Sequence, residues 1–106
     1  MPTHLEKLLA ELKRGFIRIY GANLDRVILY GSQARGDAAP DSDIDILVVL
    51  KNDFNYGEML DLSSNLVASL SLERDLVISR AFVSRAEYER KQSPFLMNVR
   101  REGIAV

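Results

Sequence analysis

The chain has no cysteine, no tryptophan, a single histidine and three prolines in 106 residues. Without cysteine there is neither a disulfide framework nor a thiolate zinc site, and redox chemistry does not fix the compartment. No apolar run approaches the roughly 20 residues of a membrane-spanning helix. The stretch from Met1 to Lys13 is charged throughout and lacks a signal peptide's apolar core. A cytoplasmic location with no membrane contact is therefore expected. Excess positive charge is missing too: 14 Lys and Arg against 15 Asp and Glu leave a net charge of −1. Direct nucleic-acid binding rests on clustered positive charge, so it is not expected. His4, the lone histidine, stands at the start of a helical segment and reads as a surface residue.

What is present suffices for one domain. Hydrophobic residues make up 47% and charged residues 27%, ordinary for a globular chain. A chain of this size buries roughly 60–70% of its unfolded surface. No repeat, low-complexity tract or linker divides it, so residues 1–106 are expected to form a single domain.

Hydrophobic spacing lays out the elements. Thr3 followed by Glu6 has the capping-box pattern. Leu5, Leu8, Leu9, Leu12, Phe16 and Ile17 then recur at helical spacing, predicting a helix from about His4 to Tyr20. Arg26 to Tyr30 reads as a buried strand stopped by Gly31. A small polar loop, Gly31 to Pro40, follows, with a helical turn at Ser32–Arg35. Asp43 to Leu50 reads as a second strand and Tyr56 to Leu70 as a second helix. A third strand is expected at Asp75–Ser79. Ser84 to Glu87 is another capping box, and Ser93-Pro94 opens a last helix that ends at Gly103. Strands alternating with helices predict an α/β (α+β) fold, a small mixed sheet of about three strands flanked by helices.

The chemistry concentrates in two short stretches. Asp43 and Asp45 lie two apart on a predicted strand, hence on one face, with Cα atoms roughly 6–7 Å apart. Two such carboxylates can converge on Mg²⁺, which is usually held by one or two carboxylates plus substrate phosphate. The plainer alternative is a pair of solvated acids at a strand start. Gly31, at a strand exit, lets the backbone approach a phosphate closely. Ser32 opens a turn whose free N–H groups favour an anion, and Arg35 offers a planar fork for phosphate. Alone, Gly-Ser is only a turn. Asp75, opening a strand beside the Asp43/Asp45 strand, would complete a three-carboxylate set able to share a metal and accept a proton. The alternative is an exposed acid paired with Arg74. Glu73 is the substitute, since a one-residue slip in register exchanges faces. Tyr30 either stacks on a base or packs at the strand end. Asp41 to Asp45 fails as a calcium loop, because Ile46 and Asn52 stand where Gly and Glu are needed. Arg80, Arg85, Arg90, Lys91, Arg100 and Arg101 make the C-terminal part basic and read as a solvated helix face.

Gly31-Ser32, ten intervening residues, then Asp-x-Asp running into an apolar strand resembles the signature of the DNA polymerase β-like nucleotidyltransferase superfamily. The stretch Leu29-Tyr30-Gly31-Ser32-Gln33-Ala34-Arg35-Gly36-Asp37 through Asp41-Ser42-Asp43-Ile44-Asp45-Ile46-Leu47-Val48-Val49 is similar to its minimal nucleotidyltransferase (MNT) branch, small prokaryotic proteins of about this length. The resemblance implies that Gly31 and Ser32 hold a nucleotide triphosphate, that Asp43 and Asp45 ligate two Mg²⁺ ions, and that Asp75 ligates one and activates the acceptor hydroxyl. It implies transfer of NMP, AMP from ATP by family habit, with release of pyrophosphate. It also implies a helical HEPN-type partner, the chain acting as antitoxin in a toxin–antitoxin pair, in a homo- or hetero-oligomer. Two rivals stay open at this point: a module that neutralises its partner by occlusion, and a transferase acting on a small molecule such as an antibiotic. No residue set specifies the base.

Overall fold

The computed structural model describes residues 3–39 and 42–106. Pro40 and Asp41, the end of the expected polar loop, lie outside the described residues, as do Met1 and Pro2. In chain order the elements are α1 (Thr3–Tyr20), a 3₁₀ turn (Gly21–Asn23), β1 (Leu24–Tyr30), α2 (Ser32–Arg35), β2 (Ile44–Leu50), α3 (Tyr56–Arg74), β3 (Ile78–Ser84), α4 (Arg85–Arg90), α5 (Pro94–Glu102) and β4 (Ile104–Ala105). They build a mixed α/β fold around a four-stranded sheet ordered β3-β2-β1-β4. The fourth strand is the short β4, antiparallel to β1 through Ile28↔Ala105 and Leu29↔Ile104. Its two residues carry no alternating pattern to read, so about three strands were expected.

β1 and β2 run antiparallel, whereas β2 and β3 run parallel from Ile44↔Ile78 to Leu50↔Ser84. A parallel pair needs a long crossover, and α3 supplies it. The sheet is covered on both faces. Val27, Leu29, Ile44, Ile46, Val48, Ile78 and Phe82 point into one core with Leu5, Leu8, Leu12 and Phe16 of α1 and Val67 and Leu70 of α3. Ile28, Leu47 and Val49 point the other way, against Leu96 and Val99 of α5, with Tyr30, Ala81, Val83 and Tyr88 around them. β2 is therefore apolar on both sides, as a central strand must be. No helix among the described residues is long and apolar enough to cross a membrane.

The helix starts follow their caps. Ser84 accepts from the Glu87 amide at 3.2 Å and Ser93 from the Leu96 amide at 3.2 Å, with Pro94 at the first turn of α5. Asn55 caps α3 in the same way, accepting from Glu58 at 2.9 Å. The far end of α3 departs from expectation. It runs on to Arg74, and the third strand begins at Ile78, not at Asp75. Asp75 adopts the left-handed conformation, φ 53 and ψ 46. Its amide bonds to the Leu72 carbonyl, and the Leu76 amide bonds to the Ser71 carbonyl. That pair of bonds is a Schellman motif, the common way to stop a helix. Asp tolerates the left-handed region better than most residues.

Candidate active site

The exit of β1 and the head of β2 meet at one end of the sheet. Antiparallel register places Tyr30 opposite Asp45, so the residue after Tyr30 lies against the Asp45 side chain. Only glycine can occupy it. Gly31 has φ 75 and ψ −158, a region open essentially to glycine alone. A Cβ there would stand 2.6 Å from Asp45 Oδ2. The chain then turns at once into α2, whose Ala34 and Arg35 amides bond back to the Gly31 carbonyl at 3.1 Å. The amides of Ser32 and Gln33, in the first turn, have no acceptor within the helix.

Asp45 is half-buried and Asp43 exposed. The Asp45 carboxyl titrates above the usual carboxylate range, first because burial disfavours its charge and second because the negative charge of Asp43 is close. A half-desolvated carboxylate repelled by its neighbour is relieved by a cation. Two oxygen-donor side chains on one face, beside a turn with no Cβ in the way, fit a single Mg²⁺ whose remaining ligands come from phosphate and water.

No third carboxylate among the described residues joins this arrangement. Among the described residues no group of three His, Cys, Asp or Glu side chains is placed to hold a metal ion. Asp75 ends α3 and precedes β3. The alternative, Glu73, sits in the last turn of the same helix, 63% exposed and 3.7 Å from Arg74. The strand position that does face the acid pair is Ser79, paired with Asp45 across the parallel ladder. Strand partners share a face, as the next pairs on that side, Leu47↔Ala81 and Val49↔Val83, confirm by lying in the α5-side core. Ser79 could not be singled out from sequence, because the crossover through α3, not a local pattern, sets its register.

Arg35 flanks the turn. Its Nε lies 3.2 Å from Asp37 Oδ2 and its Nη1 3.5 Å from Glu102 Oε2. Asp37 foremost keeps its guanidinium more firmly protonated than usual. With Tyr30, Gly31, Phe95, Asn98 and Glu102 it lines a cavity of about 170 Å³. Tyr30 packs at the strand end, edge-on to Phe95 at 5.3 Å between centroids. Burial, then the charge of Asp45, raises its phenol above the ordinary tyrosine range. His4 is exposed and borders a separate cavity of about 380 Å³ with Gln33, Ile44 and Arg74. Because Ile44 points away from its neighbours Asp43 and Asp45, that cavity belongs to the α1/α3 face.

Comparison with known proteins gives a consistent picture. Residues 6–102 match the family model described as a nucleotidyltransferase domain. MJ0604 of Methanocaldococcus jannaschii, named as a candidate protein adenylyltransferase, is 35% identical over 99 residues, 92% of this chain and 93% of that one. The structure resembles a crystal structure from Sulfolobus solfataricus, titled as a candidate nucleotidyltransferase, with a TM-score of 0.62 and 22% identity, covering 94% of this chain and 79% of the other. It also resembles a chain of a toxin–antitoxin complex crystallised with AMP-PNP, with a TM-score of 0.63 and 20% identity, covering 91% and 69%. At these identities the two structures speak for the fold alone.

Proposed function

The chain belongs to the nucleotidyltransferase-domain family, and from that premise we propose that it transfers a nucleoside monophosphate, AMP from ATP, to a hydroxyl on a partner protein. The observation that carries the site is the contact between the Gly31 turn and Asp45, which sets the first amides of α2 beside the carboxylate that this reading assigns to the metal. The name of MJ0604 supports a protein acceptor. The likeness to a chain of a toxin–antitoxin complex supports a partner protein, and the helical HEPN type and the antitoxin role are what the resemblance over residues 29–50 implies. A cytoplasmic activity fits ATP as the donor.

Each residue has a role in this reading. The Ser32 and Gln33 amides and the Ser32 hydroxyl receive the triphosphate, with Arg35 beside them as a cation able to leave its carboxylate partners for phosphate oxygens. Asp43 and Asp45 hold Mg²⁺. When bound, the ion neutralises the triphosphate and polarises the oxygens at the reacting phosphorus. The acceptor oxygen bonds to the α-phosphorus as the bond to the bridging oxygen breaks, and pyrophosphate leaves with that electron pair. The hydroxyl proton passes to a carboxylate or to water.

The test is label transfer. Incubation with ATP labelled on the α-phosphate, Mg²⁺ and the partner should label the partner. Asp43→Ala with Asp45→Ala should abolish it, and undiminished labelling in that variant would overturn the site.

One observation favours a second reading, neutralisation by occlusion. α3 turns Leu62 (51% exposed) and Leu72 (86%) outward, and Val77 (59%) stands just ahead of β3. These large apolar side chains offer a contact surface that needs no chemistry. If the folded double-alanine variant still neutralised the partner in full, occlusion would be the operative mode.

A further inference from the structure

The resemblance that implied two metal ions did so through three carboxylates, and among the described residues the structure brings two together. We infer that this chain holds a single divalent ion, the one that arrives with the nucleotide, and that Ser79 occupies the place where a ligand for a second ion would stand. The inference rests on the transferase reading and narrows it.

Four observations carry it. The parallel ladder pairs Asp45 with Ser79, so the β3 side chain directly across from Asp45 comes from position 79, and Val77, one step back on that face, is apolar. Ser79 is exposed, and a neutral hydroxyl is a poor ligand for a hard cation that prefers carboxylate. The flanking position Arg80 cannot substitute. Its guanidinium turns to the opposite face, where Nε donates to Ser63 Oγ at 2.7 Å and Nη2 to the Leu60 carbonyl at 2.8 Å. Asp75 is occupied as the left-handed residue of the Schellman motif that ends α3. Its presence has a local structural cause, and no metal-holding group of three among the described residues includes it.

The consequence is chemical. A second ion would bind the attacking oxygen and lower its pKa. Without it, this chain binds and orients the nucleotide but leaves activation of the acceptor hydroxyl to Asp43, Asp45, water or a group on the acceptor protein itself. Transfer would then depend on the acceptor more than on this chain.

The experiment is equilibrium dialysis with Mn²⁺ and the non-hydrolysable α,β-methylene-ATP, with Mn²⁺ and nucleotide counted per chain. One Mn²⁺ per bound nucleotide is expected, and two would overturn the inference while leaving the transferase reading intact. No retained nucleotide at any Mn²⁺ concentration would overturn both. Asp75→Asn should leave the ratio and the nucleotide affinity unchanged, and a loss of about tenfold or more, the scale of removing a group that matters to a metal site, would restore Asp75 as a ligand. Ser79→Asp, checked for folding by circular dichroism, should raise the ratio to two. A ratio still at one would show that position 79 is not the vacant ligand position.

Discussion

Gly31 and Asp45 are locked together: the glycine's missing side chain is the space in which the Asp45 carboxylate sits. A Cβ at Gly31 would come within 2.6 Å of Oδ2, and the backbone there, φ 75, is closed to other residues in any case. Gly31→Ala should therefore lower stability by about 1–3 kcal/mol through backbone strain alone and displace Asp45. Thermal unfolding would show the first effect, and loss of Mg²⁺-dependent nucleotide binding the second.

Asp45 should be costly to the apo fold. Its folded-state pKa is raised, so the native state holds its proton to higher pH than the unfolded chain does. Stability contributed by this group is full below the ordinary carboxylate pKa and is lost as pH rises through the raised value. Asp45→Asn should consequently raise the melting temperature at pH 7, by about 2 °C for a fraction of a kcal/mol in a domain of this size. The gain should vanish at about pH 3, below the ordinary Asp value. The same variant should lose metal-dependent nucleotide binding. An unchanged or lower melting temperature at pH 7 would contradict the burial and repulsion assigned to this carboxyl.

The placing of Gly31 against the Asp43 and Asp45 strand is legible in the sequence because its determinants are local. Gly31-Ser32 ends one apolar run and Asp43-Ile44-Asp45 opens the next, and a two-residue period fixes which face both acids share. The strand expected to start at Asp75 starts at Ile78 instead, and the difference arose where local signals fail. The apolar residues of α3 are spread around the helix, with Leu62 and Leu72 turned to solvent, so periodicity did not mark its end. Its stop signal is a left-handed Asp where glycine is the usual signature. Arg80 was grouped with surface cations because alternation along β3 is invisible until its register is known, and the structure turns it inward onto Ser63. At Gly103 the helix end was placed correctly, but the cause is close packing. Its φ is −67, and an added Cβ would meet the Val99 carbonyl at 2.5 Å and Ile28 Cγ2 at 2.6 Å.

Asp75→Gly separates a structural from a catalytic Asp75. Glycine pays no Cβ penalty in the left-handed region, so the variant should be about 0.5–1 kcal/mol more stable by denaturant unfolding, with label transfer retained. Loss of transfer with the fold intact would mean the acid acts in the reaction.

Arg35 is exposed, and its ion pairs with Asp37 and Glu102 are solvent-screened. Arg35→Ala should leave the melting temperature nearly unchanged. Triphosphate affinity should fall about tenfold with the loss of this charge-assisted contact. Titration calorimetry reads both affinity and its salt dependence, and the variant should show the weaker dependence on salt.

The central claim is that Asp43 and Asp45, set against the Gly31 turn, hold a metal–nucleotide complex. Calorimetric titration of a non-hydrolysable ATP analogue into the chain, with Mg²⁺ and with chelator, tests it most directly. Binding should appear only with Mg²⁺ and disappear in the folded Asp43→Asn, Asp45→Asn variant. Equal binding with chelator, or binding undiminished in that variant, would contradict it.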